Sequence, residues 1–420
     1  MRDVRVTTLE NGLRVASDPM DTVETVSVGV WIEAGARDET ASVNGVSHLI
    51  EHMVFKGTER RDARSIAEEI EAVGGHLNAH TSREYTAYYA KVLKDDAGLA
   101  VDILADIVQH AKMDAEELDR ERAVVIQEIM QAHDTPDDIV FDRFQETAFP
   151  RQPVGRSVLG TADLIRTIPR EALIQYVNDH YRASSIVLAA AGRIDHDRLV
   201  ELAEGAFSSL DAGVRKAREP ALYVGGDCRD DRDLEQAHII LGFTGVAYRD
   251  PDFYALSVLS VLLGGGMSSR LFQEIREKRG LVYTIYSFPT SFIDSGLFGI
   301  YAGTGEKEVA ELIPLVCTEM VKLMSDVTEE EVARAKAQLK SSILMSLEST
   351  SARCEHLARQ LVVFGRPLTV TEVVGEVAAV DVAAVRRVAR RLIEGPLTVT
   401  GLGPLANLPE YDDVASYLRH

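Results

Sequence analysis

Apolar positions along this chain follow two periods, and each period predicts a different element. Met1 to Val15 reads as strand, turn and strand around Asn11-Gly12. Val46, Leu49, Ile50, Met53 and Val54 then recur at helical spacing with no nearby proline, which predicts a helix. Arg64 to Val73 predicts a second helix closed by Gly74-Gly75. From His76 to Val92 the period changes to that of a strand, with Leu77, Tyr85, Ala87 and Tyr89 on one face. A long helical pattern starts near Ala115 and runs through Ile129. Past Phe149-Pro150, Ala162 to Tyr181 reads as helix, Ile186 to Ala191 as a buried strand ending at Gly192, and His196 to Leu210 as helix.

Asp211 to Glu235 breaks these patterns with Gly213, Pro220, Gly225, Gly226 and a run of charges. We take residues 213–232 as a linker between halves 1–212 and 233–420, each of single-domain size. The second half repeats the order of the first, with a strand over Ala237–Phe243 and a helix over Asp252–Leu263. That repetition suggests an internal duplication. The expected fold class is α+β, two homologous halves that each pair a mostly antiparallel sheet with helices.

The first predicted helix carries candidate chemistry. His48 and His52 lie one turn apart on one face with Glu51 beside them, the pattern H-x-x-E-H. Two imidazoles suit zinc, a catalytic site needs a third protein ligand, and Glu51 could take a proton from water. A buried amphipathic helix whose histidines happen to fall four apart is the alternative that five residues leave open. Glu121 and Glu128, two turns apart on the later helix, point the same way among apolar neighbours. Carboxylates on such a face need a partner, so Glu128 is the candidate third ligand and Glu121 a hydrogen-bond acceptor for a ligating imidazole. His76 and His80 do not make a second site, because four residues of strand separate their Cα atoms by roughly 13 Å. Gly264-Gly265-Gly266 lacks the Gly-Lys-Ser/Thr ending of a phosphate loop and reads as a turn between helices.

Composition narrows the partners. The 420 residues include 45 basic and 66 acidic ones, a net charge of -21, which disfavours nucleic acid and favours cationic partners. Cys228, Cys317 and Cys354 have no paired or metal-binding spacing, as expected in a reducing compartment. The N-terminus has no signal-peptide pattern and no window reaches the length of a membrane span, so a cytoplasmic location away from the membrane is expected.

Three stretches carry a family resemblance. They are Gly45-Val46-Ser47-His48-Leu49-Ile50-Glu51-His52-Met53-Val54-Phe55-Lys56-Gly57-Thr58, the segment Leu77 to Thr86, and Glu121 to Glu128. Together they resemble the pitrilysin-type zinc metallopeptidases (inverzincins), most of all the processing peptidases. In that family the third ligand follows the second histidine by 76 residues, and here 128 minus 52 is 76. The resemblance implies one zinc ion held by His48, His52 and Glu128, with Glu51 as general base. It also implies that acidic side chains at Asp138 and Asp142 receive a substrate arginine, although Asp138 stands where the family has the longer glutamate. Phe55 matches a pocket aromatic, and Asn78 and Ala79 match the edge strand to which an extended peptide is added. Arg276 and Tyr283, in the segment Leu271 to Tyr283, match a pair that reaches the active site from the opposing half of a dimeric clamshell. The implied activity is endopeptidase cleavage of short, unfolded, basic peptides by a homodimer. A heterodimer, or a non-catalytic subunit of the same build, is the alternative.

Overall fold

The computed structural model describes residues 4–214 and 216–419. Among the described residues the strands are β1 Arg5–Thr8, β2 Arg14–Pro19, β3 Thr25–Ile32, β4 His76–Thr81, β5 Thr86–Leu93, β6 Ile186–Gly192, β7 Gly226–Asp231, β8 Ala237–Thr244, β9 Val282–Ser291, β10 Gly296–Thr304 and β11 Leu397–Gly403. The helices of the first 210 residues are α1 Val46–Met53, α2 Ala63–Ala72, α3 Ala97–His110, α4 Ala115–His133, α5 Pro136–Ala148, α6 Ala162–Thr167, α7 Arg170–His180 and α8 His196–Phe207. Those that follow are α9 Phe253–Gly264, α10 Val309–Lys322, α11 Glu329–Ser346, α12 Thr350–Phe364, α13 Val370–Ala379, α14 Val382–Glu394 and α15 Tyr411–Tyr417.

The chain forms two compact units. One comprises residues through Met130, Arg156–Glu219 and Met345–Pro367; the other comprises Gln131–Gly155, Pro220–Leu344 and Leu368 onward. The first unit holds a sheet of order β1-β2-β6-β3-β5-β4, antiparallel except for the β2–β6 pair. The second holds a sheet of order β7-β11-β8-β10-β9, antiparallel except for β7–β11. Strand for strand, β2-β6-β3-β5-β4 and β7-β11-β8-β10-β9 repeat one topology, which is the α+β duplication that the apolar pattern suggests.

In both units the sheet is buried on two faces. In the first, Val28, Val30 and Ile32 of β3 pack with α3, including Ala100, Ile103 and Leu104. On the reverse face Trp31, Ala87, Val187, Ala189 and Ala191 pack against Cys354, Leu357, Ala358 and Leu361 of α12. In the second unit α5 plays that part, placing Val140 and Phe144 with Ile240, Leu297, Tyr301 and Leu402. Gly242 is required there, since a Cβ on it would stand 2.0 Å from Cε2 of Phe144.

Four expectations change. The boundary at 212 is not the unit boundary, because α5 belongs to the second unit and α12 to the first. An amphipathic helix shows that it has an apolar face without showing which sheet covers it. Within the expected linker, Gly226–Asp231 forms β7, paired parallel with β11 through the backbone despite its charges. The stretch from His76 to Val92 is a hairpin rather than one strand, so Leu77 pairs with Ala90 and lies on the face opposite Tyr89. The helix expected over Ala162–Tyr181 is likewise two, α6 and α7, parted at Pro169.

Phe144 fills the layer between α5 and its sheet at 1% exposure. Truncation to alanine should cost about 3–5 kcal/mol, read as a lowered denaturation midpoint.

Candidate metal centre and active site

The helix that carries the histidines begins at an unusual place. Gly45 has φ 98°, and a Cβ there would meet Ile165 and the Leu159 carbonyl at 2.7 and 2.8 Å. No side chain of its own caps the helix; the buried carboxylate of Glu39 does so instead. It accepts from Asn44 Nδ2, the Gly45 and Ser47 amides, each at 2.8 Å, and the Ser47 hydroxyl. An anion there also suits the positive end of the helix. Burial nevertheless pushes the Glu39 carboxyl above its ordinary range, against the pull of those donors. Val46, Leu49, Ile50 and Met53 then anchor α1 in the core, which leaves His48, Glu51 and His52 on the remaining face.

Two elements make the centre. From α1, His48 Nε2 and His52 Nε2 stand 3.6 and 3.5 Å from Glu128 Oε2, which comes from α4. The three ligand atoms all lie within 4.8 Å of one another. Bonds of about 2.1 Å to one tetrahedral ion put ligand atoms roughly 3.4 Å apart, so the set fits a zinc ion. Glu121, on the same helix as Glu128, holds Oε2 3.0 Å from His52 Nδ1, and Lys56 Nζ lies 2.6 Å from its other oxygen. His48 Nδ1, by contrast, is buried without a hydrogen-bond partner. Burial, with His52 adding to it, pushes the His48 imidazole down to about 4. The ring is therefore neutral, as a metal ligand must be, at any pH near 7.

Glu51 sits on α1 between the two histidines and beside Thr81 at the end of β4. Its Oε2 is buried and unpartnered, and burial raises the carboxyl above its usual range. A carboxylate so placed is suited to taking up a proton.

Other expected residues divide between the units. Phe55 is partly buried against the first core, its ring edge-on to Tyr88 at 6.4 Å. Asn78 and Ala79 lie on β4, the free edge of the first sheet. There Asn78 Oδ1 accepts from the Ala79 amide at 2.8 Å. Asp138 and Asp142 lie one turn apart on α5 in the second unit. Burial, and then Asp142 and Asp137, push the Asp138 carboxyl up. Arg276 and Tyr283 also belong to the second unit. Residues Phe272–Glu277 wind as a π-helix, and Gly280 at φ 66° turns the chain back. The guanidinium of Arg276 consequently lies 5.2 Å from the Tyr283 ring centre, and Tyr283 is 76% exposed. Sequence reasoning missed Lys56 and Glu39; the spacing of Lys56, four residues after His52, was the available signal.

Residues 14–162 match the family model described as Insulinase (Peptidase family M16), and residues 167–339 match the Peptidase M16 inactive domain. A probable mitochondrial-processing peptidase subunit beta of Arabidopsis thaliana is 40% identical, over 98% of this chain and 80% of that protein. The chain belongs to the M16 peptidase family. Two bacterial M16 relatives are 38% identical. One is an uncharacterized zinc protease of Rickettsia felis, covering 95% of this chain and 97% of its own. The other is the uncharacterized zinc protease YmxG of Bacillus subtilis, covering 96% and 98%. Among solved structures, a protease from Helicobacter pylori superposes with a TM-score of 0.87 at 25% identity, over 96% of this chain and 100% of that one. A chain of complex III2 from Candida albicans shares the fold, with a TM-score of 0.88 at 24% identity over 99% of each. The M16 relatives named zinc proteases make this a peptidase family whose metal is zinc, and His48, His52 and Glu128 are the group able to hold it. No helix among the described residues is long and apolar enough to cross a membrane.

A pKa lowered in the folded state means that the unfolded chain takes up the proton first. For His48 that contribution is present above about pH 6.5 and lost as pH falls toward about 4. Zinc-free protein should lose about 3 kcal/mol of stability over this window, and His48→Gln should flatten that part of a urea-midpoint against pH curve.

Proposed function

We propose that this chain is a zinc endopeptidase with one ion per chain, held by His48, His52 and Glu128. The observation that carries the reading is the approach of Glu128 Oε2 to both imidazoles at 3.6 and 3.5 Å, from a helix 76 residues further along the chain. When bound, the ion supplies Lewis acidity, which makes water a nucleophile near neutral pH and polarises a peptide carbonyl. The carboxylate of Glu51 takes the proton that water gives up as it attacks, then passes it to the departing amine. Its raised affinity for protons, caused by burial, suits both halves of that transfer. Glu121 holds the His52 ring through Nδ1.

The substrate in this reading is an extended peptide that adds to the free edge of β4, where main-chain bonds give affinity without sequence preference. Asn78 releases the Ala79 amide as the peptide arrives. Phe55 borders the peptide's path near the ion. Asp138 and Asp142 select for a basic side chain, since two like charges one turn apart are relieved by a guanidinium. Arg276 and Tyr283 serve the zinc centre of a partner chain, steadying the carbonyl oxygen as it gains charge. A homodimer satisfies this arrangement, and a heterodimer would do so equally.

Zinc-loaded Glu51→Gln should keep its metal while kcat drops roughly 10²–10⁴-fold. Wild-type turnover by that variant would sink the assignment of the base. Asp138→Asn with Asp142→Asn should lower kcat/KM about 10-fold or more for arginine peptides and leave neutral peptides unaffected. Equal losses on both peptide classes would remove the basic specificity. A folded, zinc-loaded wild type that cuts nothing would favour the non-catalytic or heterodimer-requiring form.

A further inference from the structure

Lys56 closes the short 3-10 turn Val54–Lys56 that continues α1, four residues after His52. The chain leaves at once through Gly57, whose φ of 121° few other residues adopt. The Lys56 side chain, 30% exposed, reaches inward to Glu121 Oε1 at 2.6 Å. Glu121 is only 7% exposed, and its other oxygen meets His52 Nδ1 at 3.0 Å. A carboxylate buried to that degree is tolerated when a counter-charge and hydrogen bonds compensate it. Here both compensating groups come from α1 and its continuation, while the carboxylate comes from α4.

We propose that Lys56 is a positioning residue for the metal centre. Its ammonium fixes one oxygen of Glu121, so that the other oxygen is aimed at the Nδ1–H of His52. With Nδ1 engaged, the His52 ring is held in the tautomer and orientation that turn Nε2 toward Glu128 and His48. The burden falls on this imidazole because His48 Nδ1 has no hydrogen-bond partner to steady its own ring. This role rests on zinc being held by His48, His52 and Glu128.

A positioning role for Lys56 and a merely electrostatic one differ in sign. A cation near a divalent ion repels it, so Coulomb's law alone makes loss of the Lys56 charge tighten zinc binding. Loss of the positioning contact makes binding weaker, by about 10–100-fold when an outer hydrogen bond to a ligand is disturbed. Zinc dissociation constants would be measured by competition with a chromogenic chelator for wild type, Lys56→Met, Lys56→Arg, Glu121→Gln and the Lys56→Met/Glu121→Gln double variant. The melting temperature of each zinc-free protein is recorded beside them. Weaker zinc binding in Lys56→Met, recovery in Lys56→Arg, and no further loss on adding Lys56→Met to Glu121→Gln are expected. That last result shows the lysine acting through the glutamate. Unchanged or tighter zinc binding in Lys56→Met, or equal losses with and without Glu121, would overturn the proposal. Lys56→Gln, which keeps the stem and one neutral donor, carries the same test if Lys56→Met does not fold. A wild type with no zinc affinity would overturn both the metal site and this role, whereas equal, tight binding by all variants would overturn only the role of Lys56.

Discussion

A buried carboxylate ties the centre together. Glu121 leaves α4 into a setting where it is 7% exposed, and the groups that meet it, His52 and Lys56, belong to α1 and the turn that continues it. Without them, that charge would be buried and uncompensated, at a cost in stability. Glu128, the candidate third ligand, stands two helical turns further along the same helix. At the other end of α1 the carboxylate of Glu39 does comparable work, holding the amides of Gly45 and Ser47 and setting the direction in which the helix enters the core. Both ends of the short helix that carries the two histidines are thus held by buried carboxylates.

The two units show what a duplicated topology leaves free. Both sheets share one strand order, and each is covered on its second face by a helix, α12 in the first unit and α5 in the second. The first unit carries the candidate ligands His48 and His52 on α1, the helix that follows β3; the second unit has there α9, which carries no histidine and no charged residue. Its candidate site residues lie instead near a π-helical turn, where Arg276 and Tyr283 come together. Function is thus carried by side chains at a few positions and not by the layers themselves.

Much of this was legible in the sequence, for specific reasons. Period 3.6 around Leu49 and Ile50 located α1, and the four-residue spacing of His48 and His52 placed both rings on one side. Glu128 was legible as a carboxylate on an apolar face in need of a partner, and the long family spacing pointed to the same residue, but its approach to the histidines depends on tertiary packing. The hairpin between His76 and Val92 has the apolar pattern of one strand, because the turn at 82–85 does not interrupt the count and shifts the face of Leu77 unseen. The placement of α5 and α12 was not legible at all, since Val140, Phe144 and Ala148 state that a helix has a buried side without naming what buries it. β7 escaped for the opposite reason: its pairing is made by the backbone, while its charged side chains imitate a linker.

The central claim is that one bound ion, held by His48, His52 and Glu128, drives peptide hydrolysis. Its most direct test is to incubate the purified protein with a mixture of unfolded peptides and map the cuts by mass spectrometry. The same mixture is run after chelation, after chelation with stoichiometric zinc restored, and with Glu128→Gln. Cleavage that vanishes on chelation, returns with one equivalent of zinc and is absent in Glu128→Gln is the predicted result. Cleavage that survives both chelation and loss of Glu128 would contradict it.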